Sequence, residues 1–344
     1  MHSKFDQAIN FFEDGNLNES KKLCLEILKD EPKNFDILHL LGIISFQLKD
    51  YKKSSELISQ AIKVNPNDAE VYNNQAFVLK KLNRPEDAVE SLNKAIKIKP
   101  DFIEAYNGLG HLLVELNQLD AALKNFDKAI SINPNFSEAY NNRGNILKEL
   151  REFKKAKNCY QKAIQLQPNF LKAHNNLGNI LKELGEYSEA KNYYQEIIKI
   201  KPNHTKAHYN LALLFKVLGD FKSTKSSYEE VLKYKPENLT ALYELSNLKK
   251  EVLNENLKNK INKIIKDKKC TNENQAYGNF LLAKFELNNR NYKKELEYLL
   301  KAHKFYFKSE SIKFNKGIKY WLNELPKVKE LLNYNESKKE IKKG

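Results

Sequence analysis

Seven prolines stand 34 residues apart: Pro32, Pro66, Pro100, Pro134, Pro168, Pro202 and Pro236. A period held over about two-thirds of a chain constrains the fold more tightly than any composition. It means that one structural unit is repeated, and 34 residues is the length of two short helices with their turns. Such units bury their apolar faces on one another, so a chain of 344 residues needs no single large core. Function is then expected on a surface built by stacking rather than in one enclosed pocket.

The unit from Ser137 to Phe170 shows the pattern. Ala139, Tyr140, Gly144, Ile146, Leu147 and Leu150 recur at helical spacing, and after a break near Arg151 a second stripe runs Phe153, Ala156, Tyr160, Ala163, Ile164 and Leu166. Pro168 then ends the second helix, because proline lacks the backbone donor and pushes the preceding residue out of helical geometry. The Asn or Asp after five of the prolines (Asn67, Asp101, Asn135, Asn169, Asn203) suits a turn and is expected to cap the next helix. Three sets of small residues keep phase: Gly42, Ala76, Gly110, Gly144, Gly178, Ala212 and Ser246; Ser54, Ala88, Ala122, Ala156, Ala190 and Thr224; and Ala61, Ala95, Ala129 and Ala163. Glycine inside a helix costs about 1 kcal/mol against alanine. Its return in phase predicts close helix crossings, with Ile58, Leu92, Phe126, Tyr160, Tyr194 and Tyr228 filling the space beside them. Gly15, Asn83, Asn117, Gly185 and Gly219 occupy the turn inside each unit and favour a left-handed helix end; Arg151 departs from this.

Gly144, Ala156, Tyr160, Ala163, Pro168 and their counterparts resemble the tetratricopeptide repeat. The resemblance covers residues 1–238 as seven units. It is weaker in the first, where Ser20, Cys24 and Ile27 stand, and in the seventh, with Thr224 and Val231. It implies an all-α fold, a right-handed superhelical α-solenoid whose concave face is lined by the first helix of every unit.

That face would carry asparagines in phase: Asn74, Asn142, Asn176 and Asn210, flanked by Asn73, Asn107, Asn141, Asn145, Asn175 and Asn179. A primary amide offers both donor and acceptor, so such a ladder suits the backbone of an extended peptide. It resembles the asparagine ladder in the repeat arrays of O-linked N-acetylglucosamine transferases. Asparagine is a poor helix former, although asparagine and lysine also serve simply to solvate an exposed helix face. A second series, Lys80, Lys148, Lys182, Lys216 and Lys250, is placed to meet acidic side chains. At the helix starts the sign changes along the array, from Asp36, Glu70, Glu104 and Glu138 to Lys172 and Lys206, which suits a ligand with an acidic end. The chaperone-tail carboxylate clamp of this family is matched only in part, by Asn145, Asn176 and Lys206; Asn141 and Asn210 stand at two of its basic positions.

Composition narrows the function classes. The net charge is 59 − 44 = +15, of which 22 − 12 = +10 lies from Glu251 onward. The basic residues are lysines except Arg84, Arg143, Arg151 and Arg290. Arginine is the residue of bidentate phosphate and base recognition, so the charge is only weak evidence for nucleic acid, which is not the expected partner. Cys24, Cys159 and Cys270 show no zinc spacing and read as reduced thiols, which suits a cytoplasmic setting. No run of 18 apolar residues exists to span a membrane, and Met1 to Glu13 has no apolar signal segment. No phosphate loop, dinucleotide fingerprint, zinc helix or nucleophile elbow occurs, so neither catalytic residues nor a cofactor are expected. His204 and His208 have a metal-pair spacing without a third ligand, and packing or capping is the expected role.

Beyond Pro236 the period stops. Leu239 to Lys250 reads as a further first helix, Leu257 to Lys268 as a lysine-rich helix, Asn272–Gln275 as a break, and Ala276 to Lys308 as a degenerate repeat. Residues 239–309 are therefore expected to form repeat-like helices and 310–344, with Phe314, Tyr320 and Trp321, a basic aromatic cap. The run NFLLAKFELNNRNYKKELEYLLKAHKFYF resembles the segment that joins tetratricopeptide repeats to the catalytic domain in bacterial sulfotransferase-family proteins. In that family a phosphate loop follows, and none is found before Gly344. The expectation is a protein-interaction scaffold that binds an extended peptide or partner protein in its groove. The alternative is the substrate-recruiting portion of a sulfotransferase-family or related enzyme whose catalytic domain is absent from this chain.

Overall fold

The computed structural model describes residues 4–248 and 253–324, with 311–324 by backbone alone. Every regular element among them is helical, and the chain divides into two compact units, Met1–Tyr193 and Tyr194–Gly344. The first contains five helical hairpins: α1 (Lys4–Glu13) with α2 (Leu17–Asp30), α3 (Phe35–Gln47) with α4 (Tyr51–Val64), α5 (Ala69–Lys81) with α6 (Pro85–Ile98), α7 (Ile103–Glu115) with α8 (Leu119–Ile132), and α9 (Ser137–Glu149) with α10 (Phe153–Leu166). It ends with α11 (Leu171–Glu183) and the start of α12 (Tyr187–Ile200). The second contains the rest of α12, then α13 (Thr205–Val217), α14 (Phe221–Tyr234), α15 (Leu239–Leu248), α16 (Glu255–Lys266), α17 (Asn272–Asn288) and α18 (Tyr292–Glu324). The fold is an all-α helical repeat solenoid.

Size complementarity holds each hairpin closed. A Cβ added to Gly42 would lie 2.7 Å from Ile58, one added to Gly110 2.7 Å from the Phe126 ring, and one added to Gly144 2.7 Å from the Tyr160 ring. The in-phase glycines thus let a bulky residue of the second helix seat against the backbone of the first. Where serine replaces alanine, its buried hydroxyl donates to that same neighbouring backbone: Ser20 to the Ala8 carbonyl and Ser54 to the Gly42 carbonyl, both at 2.7 Å.

The left-handed turn extends further than its glycines and asparagines. Gly15, Lys49, Asn83, Asn117, Arg151, Gly185 and Gly219, again 34 apart, all have φ between 59° and 78°. Arg151, expected to differ, adopts φ 60°, and Lys49 65°. The packing of the hairpin imposes the turn on whatever residue stands there. Arg290 repeats it at φ 57° between α17 and α18, so the last hairpin is built like the others.

Helix capping departs from expectation by one residue. The caps are Asn34, Asp68, His204 and Asn238, which accept from Ile37, Val71, Ala207 and Ala241 backbone N–H groups, and not the residues directly after the prolines. At Phe102, Phe136 and Phe170 no side-chain cap forms, and a half-buried or buried ring stands at the helix start. The residues before two prolines make the turn bonds instead: Asn65 and Asn133 accept from the N–H of Asn67 and Asn135.

In the second unit, Asn272–Gln275 does not break a helix but begins α17, capped by Thr271. Tyr243 of α15, Tyr277 and Phe280 of α17, and His303 and Tyr306 of α18 interlock as an aromatic cluster with ring centroids 5.2–6.5 Å apart. Helix α18 crosses residue 309 without interruption. Lys250 and residues 325–344 of the expected cap lie outside the described residues.

Candidate functional site: a stapled asparagine face

In the first unit the first helices of successive hairpins touch one another, α3 to α5, α5 to α7, α7 to α9 and α9 to α11. The asparagine ladder lies along these contacts. Its amides already bond to neighbouring repeats. Asn74 Nδ2 lies 2.9 Å from His39 Nε2. Asn142 Nδ2 donates to Asn107 Oδ1 at 3.1 Å and lies 3.0 Å from His111 Nε2. Asn176 Nδ2 donates to both Asn141 Oδ1 and Asn145 Oδ1 at 3.0 Å.

This alters what the ladder can offer. Both N–H groups of Asn142 and Asn176 are used inside the protein, so neither residue can present donor and acceptor together as expected. What remains is divided between partners. Among the described residues Asn176 keeps its carbonyl oxygen and Asn145 keeps its NH2, while Asn145 Oδ1 accepts from Asn176 and from Tyr160 Oη at 2.9 Å. The Asn107/Asn142 pair differs, because Asn142 Oδ1 accepts from Asn141 Nδ2 at 3.4 Å while Asn107 Oδ1 accepts from Asn142. The Asn145/Asn176 pair thus has one acceptor and one donor left among the described residues, and it is held in place by inter-repeat bonds. Asn179 and Asn210 are also engaged within the protein.

The amide donors require His39 and His111 Nε2 to accept, which places their protons on Nδ1. Burial lowers the pKa of both rings; Lys80 adds to this at His111, while Asp68, Glu70 and Asp36 oppose it at His39. The shift favours the neutral ring that the staple needs.

The lysine series separates into two kinds. Lys80 is held by Glu115 at 2.7 Å, and in the second unit Lys216 is held by Glu244 at 2.6 Å, so Lys216 is occupied rather than open to a ligand. Lys148 and Lys182 are half-buried and have no carboxylate partner among the described residues; Lys206, in the second unit, is exposed. His204 caps α13, and His208 Nε2 donates to the Pro202 carbonyl at 2.8 Å while stacking on Tyr234, so neither is placed as a metal ligand.

One feature escaped the sequence reading. The ladder position reads Asn74, Gly108, Asn142, Asn176, and at Gly108 no amide staple can form between α5 and α7. A pocket of about 470 Å³ opens there, lined by Ala76 and Phe77 of α5, Gly108 and Leu112 of α7, Leu92 of α6 and Phe136 before α9. The interrupted series and the phenylalanine at 77 were the available signals.

Sequence matches to tetratricopeptide repeat families fall at residues 35–68, 57–90, 78–116, 110–151, 137–170, 171–204 and 205–238, which together cover more than half of the chain. The chain belongs to the tetratricopeptide repeat family. Similar solved tetratricopeptide-type structures share the fold at low identity. One comes from the functional characterisation of Pseudomonas aeruginosa pilF (20% identity, 63% of this chain and 97% of that one, TM-score 0.54). Another is the C-terminal part of a TPR repeat-containing protein from Cytophaga hutchinsonii (16% identity, 69% and 98%, TM-score 0.55). A third is the type IV pilus biogenesis factor PilW (22% identity, 59% and 94%, TM-score 0.54). No curated protein matches the sequence. No helix among the described residues is long and apolar enough to cross a membrane.

Proposed function

We propose that the first unit binds an extended segment of a partner protein along the faces of α5, α7, α9 and α11. Tetratricopeptide repeats support a protein-interaction scaffold as the general role. The observation that carries the finer reading is the divided amide pair. Asn145 Nδ2 and Asn176 Oδ1 offer one donor and one acceptor, which is what a backbone amide of an extended chain needs, and the staple fixes them in advance. Groups ordered before binding lose little entropy on association. Lys148 and Lys182, which have no carboxylate partner among the described residues, would meet acidic side chains of the bound segment, and Lys172 at the start of α11 extends the basic side.

The test is selection of short peptides from a displayed random library on the full chain, followed by affinity measurement on three variants. Lys148→Ser with Lys182→Ser leaves every amide staple in place and should weaken acidic binders about tenfold or more. Asn176→Ala, and Asn142→Ala with Asn176→Ala, should weaken all binders, with helicity by circular dichroism as the folding control. Selected peptides that bind all variants equally would refute the groove.

A further inference from the structure

The pocket at Gly108 differs from the rest of the face in shape, polarity and charge. Phe77, 47% exposed, forms one wall of it. Leu92 and Leu112 are buried behind it. An added Cβ at Gly108 would rest 3.6 Å from both Leu92 methyls, an ordinary contact, so the backbone tolerates a side chain there and the pocket exists because none is present. Its volume of about 470 Å³ falls in the range of sites that enclose a ligand group. The rim is acidic. Glu104 and Glu138 are exposed and have no basic partner among the described residues, while Lys80, which lines the pocket with Asn107 and His111, is paired with Glu115.

We propose that this pocket takes one large apolar side chain, aromatic or branched aliphatic, of the bound partner segment, and that a lysine or arginine stands beside that side chain in the partner. This rests on the groove reading above and names the residue class that anchors the segment. The apolar walls favour burial of a hydrocarbon group, and Phe77 is desolvated in the same step. The two unpaired carboxylates favour a cation and repel an acidic neighbour, which sets which residue flanks the anchor. The anchor would thus sit at the acidic part of the unit, and any acidic residues of the segment toward Lys148 and Lys182. An ordered partner would be read by one side chain in a pocket and by its backbone elsewhere.

The same displayed library is the probe, panned on wild type and on three variants of the full chain. Gly108→Asn restores the side chain that the ladder carries in adjacent repeats and fills the pocket. Phe77→Ser removes its exposed wall. Glu104→Lys with Glu138→Lys reverses the rim. Wild type should enrich peptides with a large apolar residue next to Lys or Arg. Gly108→Asn and Phe77→Ser should each weaken those peptides about tenfold or more, and the reversed rim should shift the preference to Asp or Glu beside the anchor. Enriched peptides that lack an apolar anchor, or that bind Gly108→Asn as well as wild type while losing affinity for Asn176→Ala, would overturn the pocket and leave the groove standing. A library that yields no binder for the folded wild-type chain would overturn both.

Discussion

Replacing Arg151 by glycine is expected to stabilise the protein although it removes a whole side chain. Arg151 is held at φ 60° in the turn between α9 and α10. An L-residue in that region costs roughly 1–2 kcal/mol relative to its preferred conformations. Glycine avoids the cost but has more unfolded-state entropy to lose, about 0.4–1 kcal/mol. The difference leaves a net gain of about 0.5–1 kcal/mol for Arg151→Gly. The side chain is exposed and forms no ion pair among the described residues, so little is lost in exchange. Gly185 supplies the reverse experiment two helices later. Its φ is 78°, and a Cβ added there meets nothing within 4 Å, so Gly185→Ala isolates the backbone cost and should destabilise by about 1 kcal/mol. Urea unfolding followed by circular dichroism, with amide exchange read separately on α9–α10 and α11–α12, measures both. Arg151→Gly that destabilises, or Gly185→Ala that changes nothing, would refute the claim that hairpin packing forces this turn on any residue.

Other outcomes follow from the same geometry. Gly144→Ala should destabilise by about 1–3 kcal/mol in denaturant melts, because its Cβ would stand 2.7 Å from the buried Tyr160 ring, whereas Gly108→Ala should stabilise by up to about 1 kcal/mol because its Cβ finds only ordinary contact. Tyr160→Phe should cost about 0.5–1.5 kcal/mol and weaken peptide binding as well, since Tyr160 Oη helps to fix the Asn145 amide. The urea midpoint should fall as pH drops below about 6.5. His39 and His111 have folded pKa values lowered by burial, so the unfolded chain takes up protons there that the folded chain resists. His39→Gln with His111→Gln should reduce that dependence and leave the part from His204, whose pKa burial also lowers.

The repeat was legible because its causes are local. Proline, glycine and alanine act on their own backbone or on one crossing, so Pro168, Gly144 and Ala156 announce the hairpin without reference to the rest of the chain. Arg151 was not legible as a left-handed residue. Its own preference opposes that conformation, and the force that wins comes from the packing of α9 on α10. The caps lay one residue beyond the expected positions for a similar reason: the residue after proline still belongs to the turn, and Asn65 and Asn133 bond inside it. The asparagines were legible as sharing a face, yet their use was not. Asn176 reaches Asn141 and Asn145, residues 35 and 31 positions earlier, and only the stacking of α11 on α9 brings them within 3.0 Å. The pocket was written as an absence, a glycine where the series has asparagine, and an absence carries meaning only once the neighbouring staples are seen.

The most direct test is the structure of the chain with a selected peptide bound. The stapled-face mechanism predicts an extended peptide on the first helices of the first unit, with one of its N–H groups donating to Asn176 Oδ1 and one of its carbonyls accepting from Asn145 Nδ2, and the Asn176 bonds to Asn141 and Asn145 intact. A peptide bound on the second helices, or one that binds only by breaking those inter-repeat bonds, would contradict it.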